Sequence, residues 1–248
     1  MATCEKCGRV IPEGSGFCGY CGRPQPLTSR GFRGLVVALL LVAAGAAVYG
    51  YFAYVRQPGG EALTYDRIAT LYQTARQHER EGDDEAAAQT YRQIVESQPN
   101  WPTHRRNLAR CLLRLGRFAE AEAQQRTAID QQLAAPVRGE ELLVWLHYEL
   151  ALARMGQGDY TGGEAALEEA KARRPALEQT PPYLVASAIA RAGRGRQDGA
   201  RELLEQALAT DRDITVQTIS GWLALVPESP EAPVLQAFLD SLPAEERS

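Results

Sequence analysis

The apolar residues of this chain follow two distinct patterns. Between residues 35 and 55 they form an unbroken run of 21 uncharged residues, LVVALLLVAAGAAVYGYFAYV. From about Ile68 onward, alanine-rich segments with helical spacing alternate with short turns that contain glycine or aspartate. The sequence therefore predicts one continuous apolar helix, followed by a series of shorter helices.

The run at 35–55 has the length of a membrane span. As a helix it would measure about 31 Å, enough to cross a hydrocarbon layer of about 30 Å. Phe52 and three tyrosines gather at its end, where amphipathic rings favour the boundary between lipid and water. A core helix would normally carry a polar stripe, and a signal peptide usually has a shorter apolar region. We interpret 35–55 as a transmembrane helix, although residues 44–46 would also suit a signal peptidase.

The charges on either side of the span predict its orientation. Residues 1–34 carry five lysines and arginines, whereas the first stretch after the span carries only Arg56 and Arg67. The positive-inside bias predicts a single-pass protein of the cytoplasmic (inner) membrane, with a cytoplasmic N-terminus and an extracytoplasmic C-terminal part. The inverse topology stays open, because this prediction uses charge alone.

Four cysteines ahead of the span have the spacing C-x2-C-x10-C-x2-C. They are Cys4, Cys7, Cys18 and Cys21. Two CxxC pairs can complete a tetrahedron around one zinc ion, and four protein ligands leave no open position, so the predicted Zn²⁺ is structural. Clustered cysteines in a reducing cytosol are better interpreted as metal ligands than as disulfides. Gly8 and Gly22 follow the two pairs, where positive φ lets backbone N–H groups turn toward the sulfurs.

Residues 2–24 resemble the small bacterial zinc-ribbon family. The family pattern CxxCG…FCxxCG recurs here at 4–8 and 17–22. So short a ribbon has almost no core of its own, and we expect the metal to supply most of its folding energy. A redox dithiol is the alternative, but the βαβ pattern that surrounds such motifs is missing.

A repeat becomes visible when the turns after the span are aligned on their glycines. Successive glycines lie 34, 42 and 37 residues apart, which is consistent with small insertions near 136–143 and 178–180. The four glycines are Gly82, Gly116, Gly158 and Gly195. Five residues after each glycine comes a small residue, and twelve after it comes Ile94 or an alanine.

This repeat resembles the tetratricopeptide repeat (TPR) family, in which two antiparallel helices per unit pack through small residues. Pro99 stands at the family's proline position, and Leu108 with Ala109 replaces its Leu-Gly pair. The four units are 68–101, 102–135, 144–177 and about 181–214. The resemblance implies an all-α fold, a TPR helical-hairpin solenoid, to which a small N-terminal zinc ribbon and one transmembrane helix are added.

The predicted organisation has six parts. They are a zinc ribbon at 1–24, a basic juxtamembrane linker at 25–34, the transmembrane helix at 35–55, a linker and the start of the first helix at 56–67, four TPR-like repeats at 68–214, and C-terminal capping helices at 215–248. The cap contains two apolar helical stretches, around Trp222 and at 234–242, which we expect to shield the last repeat from water.

The resemblance also implies a concave groove, lined by the first helix of each unit. The matching positions are Tyr72, Arg76, Arg80, Arg106, Asn107, Arg110, Arg114, Trp145, Tyr148 and Leu152. Steps of four residues keep each set on one helical face. Of the family's carboxylate-clamp pattern, Asn107 matches one position, and other residues occupy the rest.

Two interpretations of this groove remain open. In one, the arginines recognise carboxylates of a protein or peptide partner, and Trp145 and Tyr148 hold its apolar anchor. In the other, the arginines form the solvated face of the helices and pair locally, for instance with Glu79 and Glu149. The first predicts an acidic partner with an apolar anchor.

Composition and charge exclude several classes of function. The overall charge of −4 combines +3 in residues 1–34 with −7 in the remainder, so we do not expect nucleic acid as a partner of the larger part. His78, His104 and His147 are scattered, and no glycine-rich phosphate loop is present. We predict no enzyme and no small-molecule substrate, and we interpret Cys111 as a small packing residue.

The sequence thus predicts a membrane-anchored TPR scaffold that mediates protein–protein interaction, with a structural zinc ribbon on the cytoplasmic side. The alternative is a signalling or regulatory membrane protein. In that case the cytosolic zinc ribbon contacts nucleic acid or a cytosolic complex, while the repeats sense something outside.

Overall fold

A computed structural model describes residues 1–12, 15–24, 64–137 and 139–243. The chain forms two compact units, Met1–Pro58 and Gly59–Ser248. The predicted linker at 25–34 and the predicted transmembrane helix at 35–55 lie outside the described residues. Among the described residues, no helix combines the length and the apolar character that a membrane crossing needs.

The first unit contains a small antiparallel sheet. Strand β1 (Ala2–Thr3) pairs with strand β2 (Val10–Ile11). An isolated bridge joins Phe17 to Pro24 further along. The buried hydrophobic cluster of this unit consists of two cysteines and Ile11. The described part of the unit therefore has almost no apolar core besides its own sulfur atoms.

The second unit is α-helical throughout its described residues, and consecutive helices pack as hairpins. The helices are α1 (Tyr65–Glu81), α2 (Asp84–Ser97), α3 (Pro102–Arg114), α4 (Phe118–Ala134), α5 (Glu140–Gly156), α6 (Tyr160–Arg173), α7 (Pro181–Gly193), α8 (Gln197–Thr210), α9 (Arg212–Leu225) and α10 (Ala232–Ser241). A 3-10 helix at Pro175–Gln179 precedes α7, at the predicted insertion. The first helices of the four hairpins are α1, α3, α5 and α7.

Each of the four hairpin turns is built on a glycine in the left-handed region. Gly82, Gly116, Gly158 and Gly195 have φ between +69° and +81°, a conformation that other residues rarely adopt. Asp83 and Asp159 then accept hydrogen bonds from backbone N–H groups and cap the second helix of their hairpins. The predicted alignment of the repeat on these glycines is confirmed.

The small residues of the repeat lie where helices approach one another. All four residues at the twelfth position after the glycine are fully buried. Aromatic rings join successive hairpins, because a Cβ built on Gly156 would lie 2.5 Å from the Phe118 ring, and one on Gly193 would lie 2.3 Å from the Tyr160 ring. These two glycines leave the room that the ring of the preceding hairpin occupies.

Two predicted boundaries differ from the structure. Helix α5 begins at Glu140 rather than at Val144, because Glu140 and Glu141 form a favourable acidic first turn. The fourth hairpin ends at Thr210. Asp211 then caps α9 by accepting a hydrogen bond from the Ile214 N–H, so Ile214 belongs to the cap.

The C-terminal cap contacts earlier hairpins as well as the last one. Helix α9 packs against α7 and α8, as predicted. In addition, the Trp222 ring lies 6.1 Å from the ring of Phe118 in the second hairpin. Fully buried Glu231 accepts hydrogen bonds from Trp222 Nε1 (2.8 Å) and from the hydroxyl of Tyr160 (2.6 Å). The cap is therefore tied to three hairpins.

Candidate metal centre and partner groove

The four predicted metal ligands come together in the first unit. Their sulfur atoms all lie within 4.8 Å of one another. Cys4 Sγ is 3.7 Å from Cys21 Sγ, and Cys7 Sγ is 3.7 Å from Cys18 Sγ. Four thiolates bound tetrahedrally at the usual zinc–sulfur distance would lie about 3.8 Å apart. The donor set and its spacing fit a closed zinc site.

Backbone N–H groups favour the thiolate forms of Cys4 and Cys18. The N–H of Arg9 acts in the same direction on Cys7, but desolvation and hydrogen bonds with the other three sulfurs outweigh it and raise the pKa of Cys7 to about 11. N–H groups of Cys7 and Lys6 donate hydrogen bonds to the sulfur of Cys4 and lower the pKa of this thiol to about 6. The pKa of Cys18 is lowered in the same way, chiefly by the N–H groups of Tyr20 and Cys21. Gly8 and Gly22 have φ of +69° and +70°, the positive values that the sequence predicts. Their own N–H groups donate to the carbonyls of Cys4 and Cys18.

In the groove, the structure pairs Arg106 with a buried carboxylate. The Arg106 guanidinium on α3 donates hydrogen bonds to Glu149 on α5, from Nη2 at 2.7 Å and from Nε at 3.0 Å. Gln125 on α4 donates a third, at 2.7 Å. Glu149 is only 6% exposed, and burial raises its pKa against the opposing effect of Arg106. Arg106 therefore binds neighbouring helices together.

Arg110 and Arg114 form a second cluster, which joins α3 to the first hairpin. Both donate to the Glu79 carboxylate, at 3.2 and 3.0 Å, and Arg114 also donates to Asp84 at 2.7 Å. The hydroxyl of buried Tyr91 donates to Glu79 at 3.0 Å. These ion pairs are the local partners that one of the two interpretations expects.

The aromatic positions of the groove have different surroundings. Two guanidinium groups lie over the partly exposed Trp145 ring, that of Arg174 at 4.9 Å and that of Arg106 at 5.7 Å from the ring centre. Its Nε1 donates to Glu141. Tyr148, in contrast, is buried, and its hydroxyl donates to the carbonyl of Pro182.

The remaining groove positions lie along the same first helices. Tyr72 and Leu152 are half-buried and pack at the edge of the core. Asn107 is buried. Arg76 pairs with Glu79, and the exposed Arg80 donates from Nε to the carbonyl of Arg76.

Comparisons with known proteins bear on the second unit. A family model described as tetratricopeptide repeat matches residues 72–136, and a second with the same description matches residues 181–206. The chain contains tetratricopeptide repeats. The buried residues of α1 to α8 form two hydrophobic clusters, and Leu152 of α5 packs against both of them, as in the all-α solenoid that the repeat family builds.

A solved structure shares this fold. The chain is similar to MamA, from residue 41 to its end, of Desulfovibrio magneticus RS-1, with 13% identity, 72% of this chain and 94% of that chain covered, and a TM-score of 0.50. It is also similar to a thermophilic TPR protein of Thermus thermophilus, with 20% identity, 68% and 95% covered, and a TM-score of 0.47. No curated protein gives a significant match.

Sequence reasoning missed two residues that contact the predicted groove helices. Arg174 contacts Trp145 from the loop after α6, whereas the predicted groove residues all lie on first helices. Gln125 completes the environment of Glu149 from a second helix. The sequence signal for such donors is a glutamate among apolar residues of a first helix, as Glu149 is. A carboxylate at such a position is rarely buried without hydrogen-bond partners.

The Glu79 cluster predicts acid sensitivity of the first TPR hairpin. Burial opposes ionisation of Glu79, but the hydrogen bond from Arg114, the charge of Arg110 and the hydrogen bond from Tyr91 outweigh it and lower the pKa. A carboxyl group whose pKa is lowered in the folded state stabilises the fold at any pH above its ordinary pKa, about 4.5. This stabilisation is lost as the pH falls below 4.5 toward the lowered pKa. When the pH is lowered from neutral to acidic, the urea concentration at the midpoint of unfolding should fall more for the wild type than for Glu79→Gln. Equal drops would mean that Glu79 is not the group responsible.

Proposed function

We propose that this protein is a membrane-anchored TPR scaffold that binds another protein in the groove of its first helices. The observation that carries the proposal is Trp145. Its partly exposed ring is held in place by Glu141 and by two flanking guanidinium groups. A large ring in a fixed position loses little entropy on binding and makes a suitable anchor for a partner's apolar side chain.

The charge of the groove supports a partner segment with acidic residues. Five arginines line this surface, and three carboxylates, Glu79, Asp84 and Glu149, neutralise part of their charge. Arg76, Arg106, Arg110 and Arg114 are each paired with one of those carboxylates. The exposed Arg80, near the end of α1, therefore carries the excess charge. An acidic residue next to an apolar anchor would complement both features.

The other parts of the proposal rest on sequence and on the cysteine geometry. The four clustered sulfurs would hold one zinc ion, which stabilises the ribbon and takes no part in chemistry. The uncharged run at 35–55 would anchor the chain in the cytoplasmic membrane. The excess of basic residues in 1–34 supports a cytoplasmic ribbon and extracytoplasmic repeats.

A second candidate function is favoured by the surface of the ribbon. Phe17 and Tyr20 are 67% and 65% exposed, and the Arg9 guanidinium lies 4.7 Å from the centre of the Tyr20 ring. Exposed rings on so small a unit suit contact with another macromolecule. In this alternative the protein is regulatory, and its ribbon contacts a cytosolic complex or nucleic acid.

Co-purification from gently solubilised membranes separates the two functions. We expect Trp145→Ala combined with Arg80→Glu to reduce recovery of the partner at least about tenfold, the effect of losing one anchor residue. Deletion of residues 2–24 should leave recovery unchanged. Arg106 is avoided, because its replacement would also destabilise the fold.

The matched control is Arg201→Glu, which reverses an exposed charge outside the groove. Thermal unfolding of each variant verifies that the solenoid is intact. Unchanged recovery with the groove variant would refute the groove assignment. Loss of a cytosolic partner only on deletion of 2–24 would instead support the regulatory function.

A further inference from the structure

The exposed large hydrophobic side chains of the solenoid share one location within its described residues. They are 37–84% exposed. They are Tyr65, Trp101, Leu133, Val137 and Ile214. Tyr65, Trp101 and Ile214 lie where a first helix or the cap helix α9 begins. Leu133 lies in the last turn of α4, and Val137 lies in the segment that leads into α5. We call this surface, defined by these five residues, the entry edge.

Hydrogen bonds join the chain segments that form the entry edge. Gln131 near the end of α4 donates to the carbonyl of Pro99, just before α3, at 2.7 Å. Arg174 before α7 donates to Glu141 at the start of α5, at 2.8 Å. The far end of α9 lies beside the glycine turns, since Trp222 contacts Phe118. The beginning of α9 therefore belongs to the entry edge.

The opposite edge, which carries the four glycine turns, has a different character. The described residues there include none of the exposed large hydrophobics. Ion pairs cover it instead, among them Arg114–Asp84, Arg117–Glu120 and Arg194–Glu164. The apolar side chains are thus concentrated at one of two otherwise comparable edges, which scattered surface residues would not produce.

The covalent tether arrives at the same edge. Helix α1 begins at Tyr65, and nine residues, 56–64, separate it from the predicted span. Fully extended, they reach at most about 32 Å. If the span anchors the chain, as the proposed function requires, the start of α1 at the entry edge stays within about 32 Å of the end of the span.

The chemistry of the edge suits a membrane interface without net charge. Tryptophan and tyrosine favour the headgroup level, where the ring is apolar and its polar tip stays hydrated. Two arginines near this edge are paired, Arg173 with Glu140 and Arg174 with Glu141. We propose that the entry edge rests on a zwitterionic phospholipid surface, with Tyr65 and Trp101 in the interface.

The test uses the full chain reconstituted in phosphatidylcholine vesicles, some of which contain phosphatidylcholine brominated near the headgroup. We expect brominated lipid to quench tryptophan emission, and Trp101→Phe to remove most of that quenching. Trp145→Phe, in the groove, is the matched control and should leave the quenching in place. Flotation of the vesicles reports separately whether the chain is anchored.

Three results would overturn the entry-edge proposal. A chain that floats but shows the same quenching with and without Trp101 would overturn the entry-edge proposal and leave the anchor intact. A chain that does not float would overturn both. Shielding of Trp101 that rises with protein concentration, without quenching by brominated lipid, would assign the edge to a second copy and also overturn the proposal.

Discussion

Cys18→Ser is expected to abolish zinc binding and to unfold the ribbon. The sulfur of Cys18 is buried and lies 3.7 Å from that of Cys7, and serine is a poor substitute for a thiolate ligand. Structural zinc supplies about 10–16 kcal/mol of apparent binding energy in comparable small domains, which is nearly all of their stability. The apolar core of the ribbon is too small to compensate, since among its described residues only Ile11 is buried besides the cysteines.

Elemental analysis of the purified chain measures the effect directly. The wild type should carry one zinc ion per chain and the variant none, and backbone amides of residues 1–24 should lose protection from hydrogen exchange. Cys111→Ser is the matched control, because Cys111 is also buried but belongs to the core of the TPR unit and not to the ribbon. Zinc retained by Cys18→Ser would refute the four-cysteine site.

Arg106→Met is expected to destabilise the TPR unit by about 3–5 kcal/mol, the usual effect of leaving one buried charge without its partner. The variant would keep Glu149 buried between helices, with Gln125 as its remaining hydrogen-bond donor. Burial raises the pKa of Glu149 and Arg106 opposes this effect, so the variant should raise the pKa further. A carboxyl group whose pKa is raised in the folded state lowers the stability of the fold once the pH rises above its pKa in the unfolded chain. The variant should therefore lose more free energy of unfolding at neutral pH than at acidic pH.

Urea unfolding, followed by circular dichroism at neutral and acidic pH, measures this loss. Arg106→Met combined with Glu149→Leu should restore most of the stability, because a buried ion pair can often be replaced by apolar residues. Arg201→Met breaks only an exposed pair with Glu205 and should change the free energy of unfolding by less than about 1 kcal/mol. Equal stability of Arg106→Met and the wild type would show that the pair does not hold the hairpins together.

The sequence was most informative where one residue type fixes a local conformation. A glycine with positive φ has few substitutes, so the spacing of Gly82, Gly116, Gly158 and Gly195 revealed all four hairpins. Thiolates at fixed spacing likewise placed the sulfurs of the two CxxC pairs within reach of one ion. The long apolar run at 35–55 stays a prediction, because it lies outside the described residues.

The sequence was less informative about contacts between helices. Helical periodicity placed Arg106, Arg110 and Arg114 on one face of α3. It could not decide whether they face solvent, a partner or carboxylates of their own chain. That depends on the rotation between successive hairpins and on how far a long side chain reaches, and neither is set by local conformation.

What the sequence determined by itself is the set of local units: two cysteine knuckles, four glycine turns and the helices between them. Only the tertiary structure decided that Glu79 and Glu149 hold the groove arginines. It also decided that Glu231 ties the cap to Tyr160, 71 residues earlier in the chain. The reason is physical, since a backbone turn is set by a few adjacent residues, whereas a buried charge is stable only where distant segments bring it a partner.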